Sequence, residues 1–486
     1  MIKSRAKALI KPMAHQKESL AHDLRHASVF DMSDPGTGKT AVRIWAFAGR
    51  RRSGGGCLIV LAPRSLLQTA WANDFAKFAP DMRVSVATAA NREAAFAADA
   101  DVYITNHDAT SWLKTKKPPF FKRFTELCID EGTAYKHHTS ARSKAALKLS
   151  LMKCFTRKSL LTATPTSNGI CDIWHPVLLL DGGQRLGPLF HAFRSSTCTP
   201  ERTSKNNPKA IHWHDKLGAE EAVFGLISDL VIRHKFEDCV DIPPTHQYTV
   251  DYELTPKQRK AYDQMELTQL LPLIGDIPTQ VANKLSKRPP LPRLTAVNAA
   301  AVATKLLQIA SGAVYGNDGK HHVIDLSRYE TIIDMAEVRK QPLVFFYWQH
   351  QRDALIAEAT SRKLRFCVLD GEATDRDRVA MVTKYQMGLY DVMFAHPASA
   401  AHGLTLTAGT SVIWSSPTYN LEWFKQGNKR QSRIGQKEKT EVVVCMAKNT
   451  IEEHVYNSIL TPKDARMGNL LDLFTSMKSN QTLEPA

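Results

Sequence analysis

Short apolar runs alternate with longer segments of mixed character along the chain, and these runs fall into two groups. The first group consists of "CLIVLA" (57–62), "DVYIT" (101–105), "ELCID" (126–130) and "KSLLT" (158–162). The second group consists of "PLVFFYW" (342–348), "RFCVLD" (365–370), "DVMFA" (391–395), "SVIWSS" (411–416) and "EVVVCM" (441–446). Runs this short and apolar are typical of strands buried on both faces of a parallel sheet, and the segments between them are long enough for crossover helices. The pattern predicts an α/β protein with two consecutive doubly wound domains.

Sequence of a different kind separates the two groups. Residues 181–220 are rich in Gly, Pro, Asn and Lys and are predicted to form an irregular insertion, although a β-hairpin could lie within it. Residues 255–312 have a helical pattern that the basic, proline-rich stretch 283–293 interrupts, and this stretch is either a DNA-contacting loop or a solvated linker. We therefore expect an N-terminal domain over residues 1–240 and a C-terminal domain over residues 241–486.

The segment "SDPGTGKT" (33–40) lies between the apolar "SVF" and the helix-like "AVRIWAFA". At such a strand-to-helix junction, free backbone amides and the helix dipole form an anion site. Lys39 would reach the β- and γ-phosphates of a nucleotide, and the Thr40 hydroxyl would hold Mg²⁺. The residues expected to bind the nucleotide here are Gly36, Thr37, Gly38, Lys39 and Thr40. Ser33 replaces the usual first glycine, and the alternative interpretation is a glycine-containing turn with an exposed lysine.

Two consecutive carboxylates end the apolar run of "CIDEGT" (128–133). Asp130 would complete the Mg²⁺ shell, and Glu131 would orient and deprotonate the attacking water, because metal and water occupy different sides of the γ-phosphate. A solvated loop is the ordinary explanation of such a pair. Its position at a strand end downstream of the phosphate loop favours the catalytic interpretation.

Other polar segments follow or precede these motifs. The threonines of "LTATPTSN" (161–168) could link a metal site to a nucleic-acid surface through hydrogen bonds, or they could form a simple turn. Gln16 precedes the phosphate loop by a helix length and could read the adenine edge, whereas a surface glutamine is the alternative. In "ASAAHGLTLT" (398–407), Thr405 could meet a phosphate backbone.

Two arginines near the carboxyl end are candidates for transition-state stabilisation. Arg430 and Arg433 are three positions apart in "QGNKRQSRIGQ" (426–436), so on a helix they would project from one face. A permanently charged, fork-shaped guanidinium suits the charge that develops on a γ-phosphate. The alternative is a basic helix that faces solvent or a DNA backbone.

The composition indicates which class of binding partner and which cellular compartment to expect. The chain has 64 Lys and Arg against 48 Asp and Glu, a net charge of +16, which favours a polyanion such as nucleic acid but also occurs in basic soluble proteins. Its eight cysteines contain no C-x-x-C pair, so zinc-ligand spacing is absent. No segment approaches the ~20 apolar residues of a membrane span, and the amino terminus lacks the apolar core of a secretory signal. An intracellular, soluble protein is expected.

In their order along the chain, these motifs resemble the Swi/Snf-type branch of the superfamily-two helicases and translocases. The matching segments are "KPMAHQ", "SDPGTGKT", "APRSLLQTAW" (62–71), "ITNHDA" (104–109), "DEGT", "LTATPTSN", "LTPKQRKAY" (254–262), "KLLQIASGAVY" (305–315), "LDGEATDRDR" (369–378) and "QGNKRQSRIGQ". The ending "RIGQ" and the sequence "DEG" are especially typical of this branch.

The resemblance implies two tandem RecA-like domains that bind ATP with Mg²⁺ between them and move along double-stranded DNA without stable strand separation. It assigns nucleotide roles to Gln16, Lys39, Thr40, Asp130, Glu131, Gln426, Arg430 and Arg433. It places Arg64, Thr105, Asn106, Thr164 and Thr405 in segments that face the nucleic acid. Thr133 replaces the histidine usual after "DEG", which bears on the coupling between hydrolysis and DNA contact.

The biological role rests on analogy alone. The chain is short for the family, shows no bromo-, chromo- or zinc-module sequence, and resembles the compact form found in bacteriophages and prokaryotes. By that resemblance, replication, recombination or repair of a phage or bacterial genome is expected rather than a role in chromatin. The expected compartment is the cytoplasm of a bacterium or of a phage-infected host. Two alternatives stay open. One is a strand-separating DNA or RNA helicase, and the other is a nucleic-acid clamp with a vestigial ATP site.

Overall fold

The computed structural model describes residues 10–202, 211–266, 296–316, 318–400, 404–433 and 435–461. The chain forms two compact units, and the change from one to the other lies between Asp241 and Ile242. Each unit has its own parallel sheet with flanking helices, as the apolar pattern predicts. Within the described ranges, no helix has both the length and the apolar character that crossing a bilayer requires.

The first unit is built on a parallel sheet. The strands of this unit are β1 (Ser28–Asp31), β2 (Cys57–Ala62), β3 (Val84–Ala87), β4 (Val102–Asn106), β5 (Phe124–Asp130), β6 (Arg157–Leu161), β7 (Cys198–Arg202), β8 (Ile211–Asp215) and β9 (Val231–Ile232). Among the described residues, seven strands pair in the order β3-β4-β2-β5-β6-β1-β9, and every pairing is parallel. Every residue of β2, an interior strand of the sheet, is buried, as expected for a strand covered by helices on both faces.

Helices connect these strands. They are α1 (Ala14–Arg25), α2 (Lys39–Arg52), α3 (Asn73–Phe78), α4 (Arg92–Ala97), α5 (Ala109–Leu113), α6 (Pro118–Phe121), α7 (Ala141–Ser150), α8 (Trp174–Asp181), α9 (Phe190–Thr197), α10 (Ala219–Leu226) and α11 (Phe236–Cys239). A π-helical turn, Leu67–Ala72, leads into α3, and 3₁₀ turns span Gly132–Tyr135 and Ile170–Ile173. Ile44 and Phe47 of α2 pack with Trp71 and Phe75 against β2 and β4 to form the core on this face.

The second unit repeats the architecture with different sequence. Its strands are β10 (Thr245–Tyr252), β11 (Ala313–Tyr315), β12 (His321–Val323), β13 (Leu343–Phe345), β14 (Phe366–Leu369), β15 (Val392–Ala395), β16 (Ser411–Trp414) and β17 (Thr440–Ala447). In the described part of the chain, six of them form a parallel sheet in the order β10-β17-β16-β13-β15-β14. Strands β11 and β12 form an antiparallel pair.

The helices of the second unit cover this sheet and one of its ends. They are α12 (Pro256–Met265), α13 (Ala296–Ala310), α14 (Ser327–Glu337), α15 (Gln349–Ser361), α16 (Asp375–Gln386), α17 (Pro397–Ala400), α18 (Leu421–Asn428) and α19 (Ile451–His454), followed by a π-helical turn (Val455–Leu460). Helices α12 and α13 account for the described parts of the region expected to be helical, and the proline-rich stretch 283–293 lies outside the described residues.

The insertion expected to be irregular contains regular structure. Within residues 181–220, helix α9 is followed by β7 and β8, which pair antiparallel from Cys198 with Asp215 to Arg202 with Ile211. The Arg194 guanidinium of α9 lies 4.1 Å from the centre of the Trp213 ring and holds one face of this ribbon against the helix. The expectation of an irregular segment was wrong here, whereas the alternative of a β-hairpin agrees with this antiparallel pair. Strands of five residues are too short to stand out from the surrounding Gly, Pro and Asn.

A buried ion pair joins four elements of the second unit. Arg328 at the start of α14 and Glu452 of α19 are almost completely buried, and two guanidinium nitrogens donate to the two carboxylate oxygens at 2.9 Å. Arg328 also donates to the carbonyl oxygens of Ala310 (3.2 Å) and Cys445 (2.8 Å). Because a charge buried without a partner is very unfavourable, this pair fixes how α13, α14, α19 and β17 pack together.

Replacing Arg328 by Met should therefore destabilise the second unit strongly. The substitution leaves Glu452 charged and buried, and breaking such a pair costs about 3–5 kcal/mol of unfolding free energy. Urea denaturation followed by circular dichroism measures the effect. Arg52→Ala, which breaks an exposed pair with Asp81, is the control and should cost less than about 1 kcal/mol. Equal effects of the two variants would contradict the prediction.

Candidate active site

Strand order brings the candidate catalytic residues of the first unit to one edge of its sheet. All strands are parallel, so their carboxyl ends share that edge, where ligands bind in open α/β sheets. The phosphate loop follows β1, the acid pair ends β5, and the threonine-rich turn follows β6, which lies between them. The Thr162 amide also donates to the Asp31 carbonyl oxygen at 3.0 Å, which ties the turn to the end of β1.

The phosphate loop has the backbone conformation that its glycines allow. Gly36 (φ 92°) and Gly38 (φ 86°) lie in the left-handed region, and Gly38 immediately precedes α2. Lys39 is the first residue of that helix, and its Nζ donates to the carbonyl oxygens of Ser33 (2.6 Å) and Asp34 (3.1 Å). Its ammonium group therefore lies over the loop, at the amino end of a helix, where an anion is favoured.

Helix α1 contacts the phosphate loop on one side. The Gln16 side chain is buried, its Nε2 donates to the Thr37 carbonyl oxygen at 3.1 Å, and its Oε1 accepts from the Met13 amide at 3.0 Å. The Nε2 of His15 lies 2.8 Å from the same carbonyl oxygen. The alternative of a surface glutamine is thus wrong, and His15 is a contact that the sequence analysis missed.

A segment after β9 contacts the loop on the other side, and nothing in the sequence analysis singled it out. Arg233 donates to one carboxylate oxygen of Asp34 and the Phe236 amide donates to the other, both at 3.1 Å. A Cβ at Gly36 would lie 2.9 Å from the Phe236 ring, so only glycine fits this position without displacement. The sequence "IRHKF" (232–236) shows two basic residues, but Asp34, the partner of Arg233, lies 199 positions upstream.

Asp130 is buried at the end of β5. Its two carboxylate oxygens accept from the indole nitrogen of Trp71 (2.8 Å) and the Glu131 amide (3.0 Å). Burial raises the pKa of Asp130, and the nearby Asp31 carboxylate adds to this, whereas the Trp71 hydrogen bond and the Lys39 charge oppose it. The ends of β1 and β5 therefore place two carboxylates and one ammonium within electrostatic range of each other.

Glu131 adopts an unusual backbone conformation, with φ 50° and ψ 60°. A left-handed conformation at a residue other than glycine is strained, and such strain is concentrated at functional sites. At the next position, a Cβ on Gly132 would lie 2.2 Å from a methyl carbon of Leu160 in β6. The glycine of "DEG" is thus required by packing against the neighbouring strand, and Thr133 follows it in a 3₁₀ turn.

The donors present fit a magnesium ion. Mg²⁺ is usually held by one or two protein carboxylates together with substrate phosphates and water, not by a closed protein cage. Among the described residues, no group of three or more His, Cys, Asp or Glu could hold a metal by itself. Thr40 at the amino end of α2 and Asp130 are the residues that would supply the hydroxyl and carboxylate oxygens of such a shared site.

The residues expected to face nucleic acid have different environments. Thr105 is wrong as a direct contact, because it is fully buried and its hydroxyl donates to the Ala87 carbonyl oxygen of β3 at 2.9 Å. Thr164 is also fully buried, and its amide donates to the Thr162 hydroxyl at 3.2 Å. Arg64 is exposed after β2, and Asn106 at the end of β4 is partly exposed and accepts from Arg92 at 3.1 Å.

In the second unit, the two arginines do not lie on a helix. Helix α18 ends at Asn428, whose side-chain oxygen accepts from the Trp414 indole at 2.8 Å, and Arg430 and Arg433 follow in turns. The prediction of one helical face was wrong because this contact and the glycine at 427 end the helix early. Gln426 lies in its last turn, buried, with its Nε2 3.3 Å from a Glu422 carboxylate oxygen.

Both arginines are anchored in the same way. The Nε of Arg430 donates to the Gln426 carbonyl oxygen at 2.7 Å, and the Nε of Arg433 donates to the Lys429 carbonyl oxygen at 2.9 Å. These carbonyls lie at or just beyond the end of α18, where backbone acceptors lack helical partners. A terminal nitrogen of Arg433 also lies 3.3 Å from the exposed Thr405 hydroxyl, which links two predicted site residues.

The end of the "RIGQ" sequence is part of the scaffold. Gln436 donates to the carbonyl oxygens of Gly409 (2.9 Å) and Thr407 (3.3 Å), so it holds the turn before β16. The buried Gln431 donates to the Tyr385 hydroxyl at 2.9 Å. A Cβ at Gly409 would lie 2.0 Å from that hydroxyl oxygen, so the chain approaches too closely there for any side chain.

Comparison with known families agrees with this arrangement. The model of the SNF2-related domain matches residues 8–301, more than half of the chain. The chain belongs to the SNF2-related domain family. As a member of this family it is a nucleic-acid-dependent ATPase, and the family and enzyme class predicted from the motifs are confirmed. The match includes the phosphate loop, the acid pair and the threonine-rich turn, and ends before Arg430 and Arg433.

Relatives of this SNF2-related chain include phage, bacterial and human proteins. It is 27% identical over 470 residues to putative protein p41 of Acyrthosiphon pisum secondary endosymbiont phage 1, covering 91% of this chain and 94% of that protein. It is 23% identical to an uncharacterized ATP-dependent helicase of Mycoplasma genitalium, covering 86% of this chain and 38% of that protein. It is likewise 23% identical to human SWI/SNF-related matrix-associated actin-dependent regulator of chromatin subfamily A member 1, covering 86% and 39%. The chain thus spans less than two-fifths of these two longer proteins.

A solved structure is also similar over almost the whole chain. It is the Sulfolobus solfataricus SWI2/SNF2 ATPase core in complex with dsDNA, with 19% identity and a TM-score of 0.42, covering 96% of this chain and 95% of that one.

Proposed function

We propose that this SNF2-related ATPase is a motor that translocates along double-stranded DNA. The observation that carries the proposal is the placement of the phosphate loop and the Asp130–Glu131 pair at one edge of the parallel sheet, with Lys39 within electrostatic range of Asp130. The net charge of +16 favours a polyanionic partner. The resemblance to a branch that moves on duplex DNA supports the choice of duplex.

In this proposal the first unit binds the triphosphate and activates water. Lys39 and the amides of Gly36, Thr37 and Gly38 hold the β- and γ-phosphates. Thr40 and Asp130 would hold Mg²⁺, which neutralises charge on the phosphates when bound. Glu131 accepts a proton from the attacking water, and Gln16, held next to the loop, contacts the adenine.

The second unit supplies positive charge for the transition state. Arg430 and Arg433 each use Nε to bind a backbone carbonyl, which orients the guanidinium and lowers the entropy lost on binding phosphate oxygens. Gln426 is proposed as a further nucleotide contact. Arg64, Asn106 and Thr405 are proposed to contact the nucleic acid, whereas the fully buried Thr105 and Thr164 are not proposed as direct contacts.

We further propose a role in replication, recombination or repair of a phage or bacterial genome, in the cytoplasm. The similarity to a phage protein over nearly the full length of both chains supports it. A strand-separating helicase is a second candidate, because the antiparallel ribbon of β7 and β8 projects mostly exposed side chains and could act as a separating element. A clamp with a vestigial ATP site is the third, and the strained Glu131 disfavours it, since a clamp does not need a positioned base.

The choice of ligand can be tested by measuring ATP turnover with single-stranded, duplex and forked DNA and with RNA. A duplex translocase should show the largest stimulation with duplex. This stimulation should fall steeply at high salt, because protein binding releases counterions condensed on the DNA and that release is less favourable when the salt concentration is high. A strand-displacement assay on the forked substrate is run in parallel. Stimulation by single strands alone, or displacement beyond passive melting, would favour the helicase.

Glu131→Gln should abolish turnover while sparing ATP binding. The amide keeps the shape of the side chain but cannot accept the proton of water, and loss of a general base reduces rates by about 10²–10⁴. Nucleotide binding is measured with a fluorescent ATP analogue and turnover by phosphate release. Glu93→Gln, an exposed glutamate paired with Lys116, is the matched control and should keep full activity. Unchanged turnover in Glu131→Gln would remove this residue from the mechanism.

Arg430→Ala should slow hydrolysis sharply and leave ATP affinity in the wild-type range. Arginines that stabilise phosphoryl-transfer transition states contribute on the order of 10³–10⁵ in rate. Because Arg430 also donates to the carbonyl oxygen of Leu404 at 3.1 Å, thermal denaturation must accompany the kinetics. Arg365→Ala, an exposed arginine paired with Asp391 in the same unit, serves as the control. A wild-type rate in Arg430→Ala would move the role to Arg433 or eliminate it.

A further inference from the structure

The segment Arg233–Phe236, which follows β9, contacts the first half of the phosphate loop at four backbone or side-chain groups. The Asp34 amide donates to the His234 carbonyl oxygen at 3.0 Å, and the His234 amide donates to the Ser33 hydroxyl at 3.1 Å. Arg233 and the Phe236 amide donate to the two carboxylate oxygens of Asp34. The segment thus holds this half of the loop in place through hydrogen bonds.

Asp34 connects that segment to the phosphate-binding groups. Its carboxylate faces the Arg233–Phe236 segment, and its own carbonyl oxygen accepts from the Thr37 hydroxyl (2.9 Å) and the Lys39 ammonium (3.1 Å). Any displacement of Asp34 therefore moves the carbonyl that Lys39 contacts. The carboxylate contacts of this connection are made by one side chain, so a single substitution can break them.

The charges around Asp34 determine how strongly its carboxylate attracts the Lys39 ammonium. Burial would raise the pKa of Asp34, but the Arg233 charge, the Phe236 amide and Lys39 together hold it below its usual value, so the carboxylate is ionised. The Arg233 side chain is only 5% exposed and the Asp34 side chain 22%, so solvent screens their interaction weakly. The Lys39 charge also acts on this carboxylate, so in the absence of Arg233 the Lys39 ammonium would be attracted to it more strongly.

We propose that Arg233 is a positioning residue of the ATP site: by compensating the charge of Asp34, it leaves the Lys39 ammonium available to the triphosphate. The inference rests on the proposed assignment of the loop around Lys39 as the triphosphate site. It adds a residue from the end of the first unit, which no phosphate-loop pattern contains, to the determinants of ATP affinity.

The test is a set of four variants assayed for the KM and kcat of ATP hydrolysis. Arg233→Met removes the charge and should raise KM about tenfold, within the range of coupling expected for residues in contact. Asp34→Asn in the Arg233→Met background removes the competing carboxylate and should return KM to within about threefold of wild type. Arg233→Lys keeps a charge and should resemble wild type. Arg185→Ala, which breaks the ion pair with Asp229 in the same unit, is the matched control with unchanged KM.

The outcomes separate positioning from a structural role. A purely structural loss lowers the folded fraction, so it reduces kcat and the melting temperature and leaves KM unchanged, and that result for Arg233→Met would overturn the inference. Failure of Asp34→Asn to restore KM would overturn it as well. If Arg233→Met does not fold, Arg233→Gln replaces it in the same comparison. Full turnover in Lys39→Ala would instead refute the assignment of the loop, whatever the Arg233 variants show.

Discussion

A phosphate loop binds a triphosphate only if its backbone is held in the binding conformation, and that conformation cannot be stabilised by the loop alone. Two glycines at positive φ permit the loop to turn but also leave it with many other conformations. In this protein the conformation is fixed by hydrogen bonds from outside: Gln16 donates to the Thr37 carbonyl from one side, and Arg233 and Phe236 bind Asp34 from the other. The ordering entropy is thus lost during folding and not during nucleotide binding.

Charged groups are also buried at this edge of the sheet, beside the phosphate loop. Burial and the nearby Asp31 carboxylate raise the pKa of Asp130, and the Lys39 charge offsets part of this effect. A divalent cation beside Asp130 would favour the ionised form of this carboxylate further. Asp34 differs, because Arg233 neutralises it within the protein. Asp34 thus serves the backbone of the loop, whereas Asp130 is the carboxylate that we propose to hold the metal.

Sequence reasoning succeeds where a residue's role follows from its neighbours along the chain. Strand β2 coincides with its apolar run, and α15 lies in the segment that connects the apolar runs 342–348 and 365–370. Burial on both faces of a parallel sheet imposes a pattern that is recognisable in the local sequence. The acid pair at the end of β5 was likewise predictable. Strands β3 and β9 were missed because β3 is only partly buried and β9 has two residues, so neither shows a distinct run.

Reasoning from local sequence fails where a residue's partner is remote or where a side chain ends an element. The link between Asp34 and Arg233 spans most of the first unit, and no spacing rule predicts it. The helix expected to carry Arg430 and Arg433 ends at Asn428, because that side chain binds the Trp414 indole of β16. Each arginine then binds a backbone carbonyl four residues before it, a geometry that a continuous helix would have denied them, since its carbonyls bond to its own amides. Ending the helix early is therefore what fixes two guanidinium groups in defined orientations.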